Sequence, residues 1–183
     1  MSNAANTQEP EGAGPAAAAE AQRLVGEADE LLAAALPPGQ WPSSEASERF
    51  LAEGNLDQVL ALYGRAMRLD SEEPAYPWNL ASAVNRLGLN DLAFGFMARA
   101  IHLADAGGEG EWSGPDAYLA LAEVALDADE IDSTLTALAH ARALDEGNGR
   151  EAEIRDLLQQ IRDRQHDPQP QASLANLLEQ LPA

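Results

Sequence analysis

Apolar side chains return along this chain at three- and four-residue intervals, and nowhere alternate one by one, so the pattern predicts helices throughout and no strand. Leu24, Ala28, Leu31, Leu32 and Ala35 make one such stripe in a helix over 16–36, closed by Pro37-Pro38-Gly39. A second helix opens after Pro42-Ser43-Ser44 and ends near Gly54. A third, from about Leu56 to Leu69, carries Val59, Leu62, Tyr63 and Ala66 inward. Ile154, Leu157, Leu158 and Ile161 mark a helix over 149–165, whose Asn148 and Glu151 have the spacing of a capping box. Leu174, Leu177, Leu178 and Leu181 form a last apolar edge after the linker Asp167-Pro168-Gln169-Pro170-Gln171, within a tail spanning 166–183. Residues 1–15 show no apolar period, and disorder is expected there.

Superimposed on this pattern is a repeated register. Gly54, Asp57, Tyr63, Ala66 and Leu69 return 34 residues later as Gly88, Asp91, Met97, Ala100 and Leu103. They return again as Asp129, Asp132, Leu138, Ala141 and Leu144, a step of 41 that equals one period plus seven inserted residues, 108–114. Pro74 and Leu80-Ala81 map by the same step onto Pro115 and Leu121-Ala122. A period of about 34 with small residues at set offsets resembles the tetratricopeptide repeat. Ala81, Ala93, Ala100, Ala122 and Ala141 suit close helix crossings, with Leu80, Val84, Met97 and Leu103 filling between them. Asp57, Asp91 and Asp132 suit the unpaired N–H groups of a helix start. Pro74 and Pro115 suit first helical positions.

The resemblance implies an all-α right-handed solenoid of three helix pairs at 40–73, 74–107 and 115–148, flanked by an N-terminal helix and C-terminal capping helices. Three positions depart from the family pattern: Ala46-Ser47, Asn90 in place of an aromatic, and Thr134 in place of a small Ala.

Composition narrows the function. The 183 residues hold 31 acidic groups against 11 basic ones, for a net charge of -20, and every base is Arg. Nucleic acid and anionic membrane are disfavoured as partners, because binding them needs clustered bases. Residues 115–148 concentrate the acidity, with eight carboxylates against one Arg, while 74–107 is neutral. Cys is absent, which excludes disulfides and thiolate chemistry. No apolar run is long enough to span a bilayer, and the N-terminus lacks a signal-peptide pattern, so a cytoplasmic protein is expected.

Chemistry finds little support. His102, His140 and His166 are dispersed, and Asp127, Asp129, Glu130 and Asp132 fail as an EF-hand, whose sixth and twelfth positions would be Asp132 and Leu138. Neither a phosphate loop nor a nucleophile motif is present. The expectation is a non-enzyme without metal or cofactor.

In the tetratricopeptide family the first helix of each pair lines a concave groove. The resemblance implies a groove from Trp41, Ser44, Glu48 and Leu51 in the first repeat. The second would supply Trp78, Asn79, Ser82, Asn85 and Arg86, and the third Leu119, Glu123 and Leu126. Trp78 has an alternative reading as partly core. Co-chaperones of this family that clamp C-terminal carboxylates use Lys, Asn and Arg. Here Lys is missing, and Glu45 and Ala120 stand at the counterparts of Asn79. The junction Glu72-Glu73-Pro74-Ala75-Tyr76-Pro77-Trp78 is similar to a segment of the class II chaperones of type III secretion, which hold hydrophobic translocators in the bacterial cytoplasm. That resemblance covers about a dozen residues, and the family carries the segment one repeat later. Three readings stay open: such a chaperone, a general bacterial tetratricopeptide adaptor or scaffold in a multiprotein complex or regulatory pathway, and an enzyme subunit. The expected partner is a protein or peptide, with a homodimer through the N-terminal or C-terminal helix as a further candidate.

Overall fold

A computed structural model describes residues 14–36, 41–108, 112–147 and 149–164. The described residues form eight α-helices and no strand: α1 (Pro15–Ala35), α2 (Ser44–Ala52), α3 (Asn55–Leu69), α4 (Ala75–Arg86), α5 (Asn90–Gly107), α6 (Pro115–Asp127), α7 (Ile131–Leu144) and α8 (Glu151–Arg164). The fold is all-α, with neighbouring helices packed together. The chain divides into two units between Tyr76 and Pro77, in the first turn of α4, where a proline's missing N–H is harmless. Residues 1–13 and the tail from 165, with its four leucines and His166, lie outside the described residues, as does Asn148.

In the first unit α1 packs chiefly on α3. Pro15 at the first helical position starts α1, and Leu24, Ala28 and Leu32 are buried. Tyr63 is fully buried on α3, and its hydroxyl donates to Asp29 Oδ1 of α1 at 2.7 Å. Burial first, and the Asp29 carboxylate second, raise the pKa of this phenol. On the outer face of α1, Arg23 bridges Glu20 and Glu27, an exposed arrangement worth little to stability. α2 is capped by Ser43, whose hydroxyl accepts from the Ala46 N–H at 3.2 Å, and it buries only Phe50.

In the second unit α6 is central, packing against α5, α7 and α8. The small residues fall where close approach needs them: Ala81, Ala93, Ala100, Ala122 and Ala141 are all 0 % exposed. Thr134 is equally buried, and its hydroxyl donates to the Glu130 carbonyl at 2.9 Å, so the departure from Ala leaves no orphaned donor. Asn90 spends its amide on the Asp127 carbonyl at 2.8 Å, joining the start of α5 to the end of α6. α8 runs parallel to α6: Arg150 forks onto the Asp116 carboxylate at 2.6 and 2.9 Å, and Arg164 donates to the Leu126 carbonyl at 2.6 Å. Ile154, Leu157, Leu158 and Ile161 are buried on α8. Its start is held by Asp145, whose carboxylate accepts from the N–H groups of Gly149 and Arg150 at 3.1 and 2.8 Å.

The repeated register has a backbone basis. Gly54, Gly88 and Asp129 have φ of 73°, 79° and 60°, each in the turn before a second helix. Gly88 N–H bonds to Asn85 O and Leu89 N–H to Val84 O. Asp129 N–H to Leu126 O and Glu130 N–H to Ala125 O repeat that pair of bonds 41 residues on. The last register position is different. Leu69 and Leu144 are 37 % and 45 % exposed, and Leu103 is half-buried. Leu69 and Leu144 end α3 and α7 at the surface, while Leu103 lies inside α5 and is only partly covered, so the expectation that Leu103 fills the core is corrected.

Candidate functional site

α4 presents the most coherent set of site residues expected from the sequence. Trp78, Ser82, Asn85 and Arg86 recur at i, i+4, i+7 and i+8, and Asn79 flanks them, so one broad face carries all five. The opposite positions, Leu80 and Val84, are fully buried and orient that face outward. Asn79 and Ser82 are exposed, and Trp78, Asn85 and Arg86 half-buried. Asn85 carries an anomaly: its Oδ1 is buried without a hydrogen-bond partner.

Trp78 does not stand alone. Trp112, from the segment inserted before α6, meets it edge-on with ring centroids 5.1 Å apart and planes at 64°. Sequence reading missed Trp112, because the Gly-rich segment around it has no helical period. A Trp among glycines was the available signal.

The remaining candidates are placed differently. Trp41 is 69 % exposed but precedes α2 instead of lying on it. On α2, Ser44 and Glu48 are exposed and Leu51 half-buried. On α6, Leu119 and Leu126 are 7 % and 1 % exposed. They pack inside the second unit and present almost no surface, so the expected groove lining at these two positions is corrected to core. Glu123 does reach the surface. Its carboxyl is pushed up from its ordinary pKa by burial first, then by Asp127 and Glu153.

His140 lies against Tyr118 with ring centroids 5.0 Å apart and planes at 16°. Tyr118 donates its hydroxyl to Asp105 Oδ2 at 2.8 Å, and burial followed by that carboxylate pushes its pKa up to about 12. His102 is exposed on α5. Among the described residues no cluster of His, Asp and Glu could hold a metal ion, and no helix is long and apolar enough to cross a membrane.

No family model matches the chain, and no curated protein matches it.

Proposed function

We propose that this chain is a non-catalytic protein-binding module of the tetratricopeptide kind, and that the α4 face takes up a peptide segment or helix of its partner. The observation that carries the reading is Asn85 Oδ1, a buried acceptor left unpaired on the face that also holds Trp78 and Arg86. An unsatisfied buried acceptor costs stability. Oδ1 has almost no exposed surface, so a bound backbone N–H would relieve that cost once the half-buried Asn85 side chain swings toward the open side of α4. Trp78, steadied by Trp112, offers a rigid aromatic surface for an apolar side chain of the same segment.

Support for the tetratricopeptide assignment comes from the left-handed turns at Gly54, Gly88 and Asp129, which share one sequence register. In its finer form the reading is a cytoplasmic chaperone for a type III secretion translocator. An acidic carrier with net charge -20 suits an apolar, aggregation-prone client by keeping the complex soluble. The alternative, a bacterial adaptor or scaffold, uses the same face with a resident partner.

The experiment is a pull-down with the full chain, identification of the partner by mass spectrometry, and titration with the isolated segment. Asn85→Leu should leave the free protein as stable or more stable, yet weaken partner binding. Trp78→Ala with Arg86→Ala should weaken binding further while the helical spectrum is retained. Unchanged affinity in both variants would remove the α4 face from the function. A partner that is itself secreted selects the chaperone; one retained in a stable complex selects the adaptor.

A further inference from the structure

α5, α6 and α7 of the second unit enclose a cleft of about 370 Å³, separate from the five α4 residues. This is within the size range of cavities that accept small groups. Phe94 of α5 and Leu121 of α6 give it an apolar lining, and the stacked Tyr118 and His140 form part of its wall. Asp132, Thr136 and His140 recur at i, i+4 and i+8, so α7 turns one face to the cleft.

Three of its hydrogen-bonding groups are biased in one direction. The single proton of the Tyr118 hydroxyl is committed to Asp105, which leaves the phenolic oxygen only as an acceptor. The Thr136 hydroxyl donates to the Asp132 carbonyl at 2.8 Å and is left in the same condition. The Asp132 carboxylate can only accept. The Ser133 hydroxyl and the His140 ring also line the cleft and can donate, so it is the Asp132 carboxylate, with the acceptor oxygens of Tyr118 and Thr136, that matches an apolar ligand bringing positive charge.

We propose that this cleft binds a basic, apolar segment of a partner polypeptide. A large apolar side chain lies on Phe94 and Leu121, and an adjacent guanidinium or ammonium group pairs with Asp132. Charge complementarity selects this occupant. The stretch 115–148, which supplies α6 and α7, carries eight carboxylates and one Arg. An acidic segment would meet repulsion there.

The test uses the full, isotope-labelled chain and three probes: acetyl-Phe-Arg-amide, acetyl-Phe-Glu-amide and free phenethylamine. The arginine peptide should produce saturable shifts at Thr136 and His140, and the glutamate peptide should leave them unmoved. Asp132→Asn should weaken the arginine peptide about tenfold, as expected for loss of one charge-assisted contact. Ala98→Leu, which fills the cleft from α5, should abolish the shifts, whereas Trp78→Ala should not affect them. If Ala98→Leu fails to fold, Asp132→Asn decides. Equal binding of the two peptides, indifference to Asp132→Asn, or no saturable shift at millimolar peptide would overturn the proposal. Phenethylamine binding as tightly as the arginine peptide would overturn the polypeptide assignment in favour of small amines. The α4 proposal survives any of these failures, since it rests on Asn85.

Discussion

α2 and α6 occupy the same register position, the first helix of a pair, yet they are held in place very differently. α2 has nine residues and buries one side chain, Phe50. α6 has thirteen and buries seven. Where α6 reads Tyr118-Leu119-Ala120-Leu121-Ala122, with apolar groups all round, the same offsets at the start of α2 read Ser43-Ser44-Glu45-Ala46-Ser47 and offer little to bury. A shared period therefore sets where helices begin and turn, while side-chain volume at the same offsets decides how tightly each is docked.

Core truncation breaks this comparison most forcefully. Leu126→Ala removes a side chain that is 1 % exposed at the end of α6 and should cost about 2–4 kcal/mol. Its effect should appear as cooperative unfolding, because α6 packs against α5, α7 and α8. Phe50→Ala removes the only buried group of α2, but its cost is capped by the docking energy of that one helix. Hydrogen exchange should then show α2 unprotected while α1 and α3, joined through Tyr63 and Asp29, keep their protection. Equal global losses from the two variants would refute the distinction.

The turns offer a test with opposite signs. Gly88 at φ 79° is in the left-handed region, where a Cβ is strained although no atom lies within 4 Å of its position. Gly88→Ala should therefore cost about 1 kcal/mol. Asp129 already bears that strain at φ 60°, so Asp129→Gly should stabilise by a few tenths to about 1 kcal/mol. Urea midpoints measured on both variants check the pair. A destabilised Asp129→Gly would show that its carboxylate does more for the turn than its backbone loses.

Much of this fold could be read before the structure, because its signals are local. Gly54, Gly88 and Asp129 announce turns through backbone chemistry, and Pro115 announces a helix start. The site was less legible. Leu119, Glu123 and Leu126 share the spacing i, i+4, i+7, which serves a groove and a core equally well; the apolar run around them was the clue to burial. Trp112 and the Tyr118–His140 stack join residues from different elements, and no periodicity connects them. The α8 start is a smaller instance. Asp145, whose carboxylate reaches over the turn to two N–H groups, stands four and five residues from its partners, outside the spacing of a capping box.

Proton linkage gives the smallest effect and sharpens the comparison from both units. Asp70, at the end of α3, has its pKa raised by burial first, then by Glu73 and Glu72. Glu123 on α6 is raised by burial, then by Asp127 and Glu153. An acid whose folded pKa lies above its unfolded value binds more protons when folded. Its stabilising effect is complete below the unfolded pKa and is lost as pH rises through the folded one. Glu20 works in the opposite sense: the Arg23 hydrogen bond lowers its pKa, so its contribution is lost as pH falls. The Glu20 side chain reaches solvent, which screens that contribution. The thermal midpoint should therefore rise as pH falls from neutrality into the upper carboxylate range, roughly pH 6 to 4, assisted by relief of the chain's excess negative charge. Both raised groups are partly solvated, so each should contribute only a few tenths of a kcal/mol. Glu123→Gln should flatten the response of the second unit and Asp70→Asn that of the first, as followed by hydrogen exchange on α6 and α3. A midpoint that falls steadily from pH 7 to 5 would mean that paired carboxylates such as Glu20 with Arg23 outweigh the crowded ones.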